Sequence, residues 1–106
     1  MRNSHITCLD GVPIGMASYD PRQIPERGII GYNCIVPEHQ GKGLGKQQIM
    51  EVLRLFRSRG ARRACVTTTN DGFFVPAQRT YEACGFVQVR KTEDNNIEYE
   101  LVFRQH

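Results

Sequence analysis

Between Gln40 and Lys46 the chain reads Gln-Gly-Lys-Gly-Leu-Gly-Lys, with Gly41, Gly43 and Gly45 at alternate positions. Without side chains a backbone can fold tightly and aim successive N–H groups at one point. Where such a turn opens a helix, the unpaired N–H groups of the first turn and the positive end of the helix dipole add to it. A phosphate or diphosphate is the natural occupant. Lys42 and Lys46 are cations in the same stretch. Spacing excludes two common nucleotide loops. A Walker A loop beginning at Gly41 requires glycine at position 46, and so does the dinucleotide pattern Gly-x-Gly-x-x-Gly; that position is Lys46.

Other reactive side chains are scattered. Cys8, Cys34, Cys65 and Cys84 contain no Cys-x-x-Cys pair, and His5, His39 and His106 stand apart, so no metal site is expected. Two disulfides are possible by count, but free thiols are expected in a chain whose first ten residues lack the apolar stretch of a secretion signal. Cys34 raises the possibility of a covalent acyl-thiol intermediate, although no histidine is close to it in sequence.

The elements that must hold the glycine loop follow from periodicity. Residues 6–9 and 12–19 flank Asp10-Gly11, a pair that tolerates the positive φ of a tight hairpin turn. Residues 20–27 contain Pro21 and Pro25 and read as a loop. Residues 28–36 are apolar and β-branched, a third strand stopped by Pro37. From Gly45 the period changes, with Ile49, Val52, Leu53 and Phe56 on one face of a helix that Gly60 ends. Residues 64–69 form a further strand, and Asn70-Asp71-Gly72 a turn. Pro76 suits the first turn of a second helix, which carries Ala77, Thr80, Tyr81 and Cys84 to one side and ends at Gly85. Residues 86–89 and 97–103 close the domain as strands.

Gln40-x-x-Gly43-x-Gly45 resembles the Gln/Arg-x-x-Gly-x-Gly/Ala acyl-CoA signature of the GNAT superfamily of N-acetyltransferases. Ile35-Val36-Pro37-Glu38 resembles that family's passage from strand to loop, and Tyr81-Glu82-Ala83-Cys84-Gly85-Phe86 its second motif. The resemblance implies an α+β fold: a central, mostly antiparallel twisted sheet with two helices, without the strand and two helices that open full-length relatives. It implies acetyl-CoA as cosubstrate, with the diphosphate on backbone N–H groups of Gly41, Lys42, Gly43, Leu44, Gly45 and Lys46 beside Gln40. The pantetheine arm would lie along Cys34, Ile35 and Val36, inserted like a short strand where the third strand splays from the next. Tyr81 falls at the position of the general acid that protonates the departing thiolate. The reaction implied is transfer of an acetyl group to a primary amine by direct attack in a ternary complex.

Neither the third strand nor the next contains Asp or Glu, so the base is open: Glu26, Glu38 or a water chain positioned by Asn33. Phe74 stands near the place of a family asparagine. With 106 residues, 40% hydrophobic and 24% charged, the chain has the size of one domain, residues 1–106. No apolar run reaches the ~20 residues of a membrane span, and the expected location is the cytoplasm. The formal charge of +3 is too small to argue for nucleic acid. Arg54, Arg57, Arg59, Arg62 and Arg63 gather where cations suit the negative end of a helix. The acceptor is a small-molecule or peptide amine. An uncovered sheet edge favours a homodimer. Two other classes stay open: a non-catalytic CoA-binding or regulatory module, and a nucleic-acid surface on the arginine cluster.

Overall fold

The computed structural model describes residues 3–69, 75–94 and 96–104. The turn at Asn70-Asp71-Gly72 and the position of Phe74 lie outside the described residues. Strands β1 (Asn3–Leu9) and β2 (Val12–Asp20) form the hairpin, and both turn residues are left-handed, Asp10 at φ 51° and Gly11 at φ 81°. This primed turn matches the right-handed twist of its strands. After β3 (Gly28–Ile35) come a single 3-10 turn (Pro37–His39) and α1 (Leu44–Ser58). Then follow β4 (Arg63–Thr69), α2 (Val75–Ala83), β5 (Val87–Lys91) and β6 (Asn96–Val102). The strands make a 6-stranded sheet in the order β1-β2-β3-β4-β6-β5. Among the described residues only β3 and β4 are parallel, with α1 as their crossover, and the other neighbours are antiparallel. The expected α+β architecture is therefore present, with element ends displaced by up to three residues, the most at the start of β1.

Both helices end as their glycines lead one to expect. Gly60 at φ 82° and Gly85 at φ 101° take the left-handed position. The residue after each donates back to the helix, Ala61 to the Phe56 carbonyl (3.0 Å) and Phe86 to the Tyr81 carbonyl (3.1 Å). These paired bonds satisfy carbonyls that would otherwise be orphaned.

The helices pack against each other and share one face of the sheet. The apolar side of α1 buries Ile49, Val52, Leu53 and Phe56, and with them Gln48. Phe56 is fully buried, edge-on to Tyr19 with ring centroids 5.8 Å apart. Its ring lies so close to Gly28 that a methyl there would sit 2.5 Å from Phe56 Cδ2. Under α2, Tyr81 meets Phe86 at 5.7 Å and Tyr99 at 6.2 Å. The opposite face carries no helix among the described residues. There Ile6 pairs with Met16 and Met16 with Cys34, an exposed row across three strands.

Candidate functional site

The two parallel strands are joined for only part of their length. Gly28 pairs with Ala64, Ile29 with Cys65 and Ile30 with Val66. Beyond that point β3 continues to Ile35 against β2, and β4 continues to Thr69 against β6. A fork opens between them. Its cause is a bulge: from Tyr19↔Ile30 to Ala17↔Asn33, two steps along β2 face three along β3. An extra residue bends the strand that carries it and breaks pairing locally. It also switches the alternation of side chains. Before the bulge Gly28 and Ile30 meet the helix layer; after it Asn33 and Ile35 do.

The glycine loop lies at the open end of this fork. Gly41 and Gly43 both have φ 79°, in the region that favours glycine. Gly43 is the N-cap of α1, without a side-chain cap bond, and the first turn contains no acidic residue although Lys46 stands in it. The first helical N–H to bond back is that of Gln47, to the Gly43 carbonyl at 3.1 Å. Among the described residues the N–H groups of Gly41, Lys42, Gly43, Leu44, Gly45 and Lys46 make no backbone hydrogen bond. A helix start without an N-cap acceptor or first-turn carboxylate gives up ~1 kcal/mol or more that ordinary capping supplies, and a lysine there opposes the dipole. An anion on these amides reverses both costs. Gln40 steadies the loop from outside, its Nε2 donating to the Ile35 carbonyl at 2.9 Å.

The structure narrows which of Cys34, Ile35 and Val36 can serve an inserted ligand. The N–H of Val36 is spent on the Ile14 carbonyl of β2 (2.8 Å), and its carbonyl accepts from His39 (2.9 Å). Backbone direction alternates along a strand, so Cys34, in register with Met16, also turns to β2. The Cys34 carbonyl takes a further bond from Gln48 at 3.3 Å. Ile35, and Asn33 two residues deeper, turn their N–H groups to the side β4 has left. The Cys34 side chain is exposed on the helix-free face.

Tyr81 is 3% exposed, and burial, with a smaller contribution from the Cys84 thiolate, pushes its hydroxyl up to about 12. It sits against Tyr99, the register partner of Val66, the last residue of β4 joined to β3. That places it behind the vertex of the fork on the helix side. Burial also raises the thiols of Cys65 and Cys84. All four cysteines are free.

The carboxylates suggested by sequence are not at the fork vertex. Glu26 pairs with Arg63 at 2.7 Å, and Glu38 lies in the 3-10 turn. The structure brings others there. A cavity of about 460 Å³ opens on the helix-free face, its wall including Gly31, Cys65, Thr67, Glu98 and Glu100. Glu98 is in register with Thr67 and Glu100 with Cys65; Arg90 pairs with Glu98 at 2.7 Å and Arg63 with Glu100 at 3.4 Å. Both lie on β6, which pairs with β4 only through the tertiary fold, so no local signal joined them to the loop. A second cleft of about 610 Å³ runs between β1 and α1, past His5, Thr7, Lys46 and Arg54. Of the arginine cluster, Arg54 pairs with Glu51 (2.9 Å), Arg63 with Glu26 and Glu100, and Arg57 lies over the Phe103 ring at 5.7 Å. No group of three metal-ligating side chains occurs among the described residues. Nor is any helix there long and apolar enough to cross a membrane.

A forked parallel pair beside an uncapped helix start is the frame of a protein that grips an extended, phosphate-bearing ligand by backbone groups. The family model described as Acetyltransferase (GNAT) family matches residues 2–86, and the chain belongs to that family. Solved structures agree. A protein described as a GNAT-family acetyltransferase from Desulfovibrio desulfuricans superposes with TM-score 0.85 at 25% identity, over 95% of this chain and 68% of that one. The PaiA N-acetyltransferase from Thermoplasma acidophilum, in complex with coenzyme A, gives 0.81 at 17% identity over 96% and 61%. A GNAT-family acetyltransferase from Elizabethkingia anophelis with acetyl-CoA bound gives 0.82 at 15% identity over 94% and 75%. The chain thus spans less than two thirds of the Thermoplasma protein's length. No curated protein matches it in sequence.

Proposed function

We propose that the protein transfers an acetyl group from acetyl-CoA to a primary amine by direct attack in a ternary complex. The carrying observation is the uncapped start of α1, with Lys46 and no acid in its first turn, at the open end of the β3–β4 fork. In this reading the amides of Gly41 to Lys46 hold the diphosphate, and Gln40 keeps the loop in shape. The pantetheine arm fills the fork, where the free N–H of Ile35 pairs with one of its amides. The relatives solved with CoA and acetyl-CoA support this placement.

The acyl end then points toward the vertex, and the amine approaches through the cavity on the other face. An ammonium has no lone pair and alkyl amines titrate near ~10.4, so a proton must leave first; Glu98 and Glu100 are the carboxylates on that wall. As the N–C bond forms, the strand N–H of Asn33, deeper in the fork, steadies the oxyanion. The C–S bond breaks, Tyr81 gives its proton to the thiolate, and solvent returns one to Tyr81. A hydroxyl held near 12 remains protonated at neutral pH, as an acid must.

One observation favours the alternative of a CoA-binding module without chemistry: Glu98 and Glu100 are each engaged by an arginine, so neither carboxylate faces the cavity without a partner. Calorimetry with CoA and a thiol-release assay over a panel of amines separate the two readings. Binding with release supports the enzyme, binding without release the module, and no heat with CoA ends both. The exposed row of Ile6, Met16 and Cys34 supports a homodimer, which a monomer in sedimentation at high concentration would refute. Four free thiols fit a reducing, cytoplasmic setting.

A further inference from the structure

Gln48 is a polar residue on the apolar face of α1, 1% exposed, and all its bonds run to strands. Thr7 Oγ1 donates to its Oε1 at 2.7 Å, while its Nε2 donates to Asn33 Oδ1 at 2.7 Å and to the Cys34 carbonyl at 3.3 Å. A room is kept for it: a methyl on Gly15 would stand 2.8 Å from Oε1. The direction of these bonds is not arbitrary. A backbone carbonyl can only accept, so the Gln48 atom beside Cys34 must be the nitrogen. Both of its protons are then used, and the Asn33 atom facing it must be the oxygen.

The consequence falls on the other end of the Asn33 side chain. Its Nδ2, with two protons, is turned toward the first turn of α1, where a methyl on Gly45 would lie 3.9 Å from it. Among the described residues this nitrogen makes no hydrogen bond. That first turn contains Gly45 and Lys46, carries no acidic residue and has no side-chain cap. Donors turned to an uncapped helix start suit an oxygen from a ligand. Position 33 lies in the stretch of β3 that has lost β4, at the fork itself.

We infer that Asn33 binds coenzyme A through its carboxamide N–H groups, and that Gln48 is a positioning residue that sets the Asn33 amide with its donors outward. The inference rests on the proposed acetyl-CoA site. The oxygen it takes belongs to the diphosphate or to a pantetheine carbonyl, two acceptors of the same kind.

Asn33→Asp is the sharpest test, because it keeps an oxygen for Gln48 Nε2 while replacing the outward donor with an oxygen that repels acceptors. By calorimetry, CoA affinity should fall about tenfold in Asn33→Ala and more in Asn33→Asp. Gln48→Leu, which fills the same space without polar atoms, should match Asn33→Ala, and the double variant should be no worse than either single one. In turnover, the KM for acetyl-CoA should rise with kcat within about threefold. Gln48→Glu covers the case of a Gln48→Leu chain that does not fold: its affinity should decline as pH rises through its carboxyl titration, while that of the wild type stays level. ADP distinguishes the two oxygens, since weakened ADP binding in Asn33→Asp assigns the diphosphate and unchanged ADP binding the pantetheine. Wild-type affinity in Asn33→Asp, or additive losses in the double variant, overturns the inference with the CoA site intact. A wild-type chain that binds no CoA overturns the site as well.

Discussion

The two halves of β3 share a strand and differ in nearly everything that matters for binding. From Gly28 to Ile30 the strand is joined to β4, and the ring of Phe56 lies directly on Gly28. From Gly31 to Ile35 one edge is unpaired, and the face is held by the amide of Gln48 rather than by apolar packing. An open strand edge leaves backbone donors unmet at a cost of about 1 kcal/mol or more each where water is excluded. Closed packing at one end and a polar clamp at the other allow the fork to stay open without the sheet coming apart. With the proposed site, stability and binding fall to different ends of one element.

The largest effect should come from breaking the closed half. In Gly28→Val, Cβ would meet three carbons of the Phe56 ring at 2.5 to 2.6 Å in a core that cannot yield. Overpacking of this kind costs about 3 kcal/mol or more, which lowers Tm by roughly 10 to 20 °C in a domain of this size. A thermal melt measures it. A Gly28→Val protein as stable as the wild type would mean that Phe56 can move and that the closed end is not the rigid one.

At the vertex, between the halves, Tyr81→Phe should lower kcat about a hundredfold with the KM for acetyl-CoA nearly unchanged. Unchanged turnover removes Tyr81 from the mechanism and makes it a core residue only. The same hydroxyl predicts an alkaline transition. Its folded value is raised from 10.0 to about 12, so the folded state holds this proton more tightly than the unfolded chain. The stabilisation is complete below pH 10 and is lost as pH rises from 10 to 12, by about 2 to 3 kcal/mol at most. Tyr99 shifts in the same direction, so chemical denaturation at pH 9 and pH 11.5 should be run on wild type and Tyr81→Phe together. The difference between them isolates Tyr81.

How much of this could be read in the residues follows the same division. The hairpin at Asp10-Gly11, the period of α1 and the three glycines are local signals, and each produced the element expected of it. The motif of Tyr81 likewise placed its helix. The bulge in β3 left no mark, because Gly31 and its neighbours satisfy an apolar strand pattern in either register. Gln48 was invisible for a related reason: beside Ile49 it looks like the polar border of an amphipathic helix, and only the approach of Thr7 and Asn33 shows it to be buried. Glu98 and Glu100 reach the vertex across a β4–β6 pairing some thirty positions apart in sequence. Backbone alternation, which withdraws Cys34 and Val36 from the fork and leaves Ile35, depends on register, and register is a tertiary property.

Gly45 offers the smallest and most selective test of the comparison. Unlike Gly28 it has room, since a methyl would meet Ile35 Cγ1 at 3.8 Å and Asn33 Nδ2 at 3.9 Å, both ordinary contacts. Its φ is not among the positive values of Gly41 and Gly43, and it lies inside α1, where alanine exceeds glycine by about 1 kcal/mol in helix propensity. Gly45→Ala should therefore raise stability by up to ~1 kcal/mol and leave CoA affinity within about twofold, because in the proposed site the ligand is gripped by the backbone N–H, which the substitution retains. If Gly45→Ala gains stability but loses CoA tenfold, the ligand comes closer to the Cα than the amide geometry requires, and the open half is as tightly packed in use as the closed half is at rest.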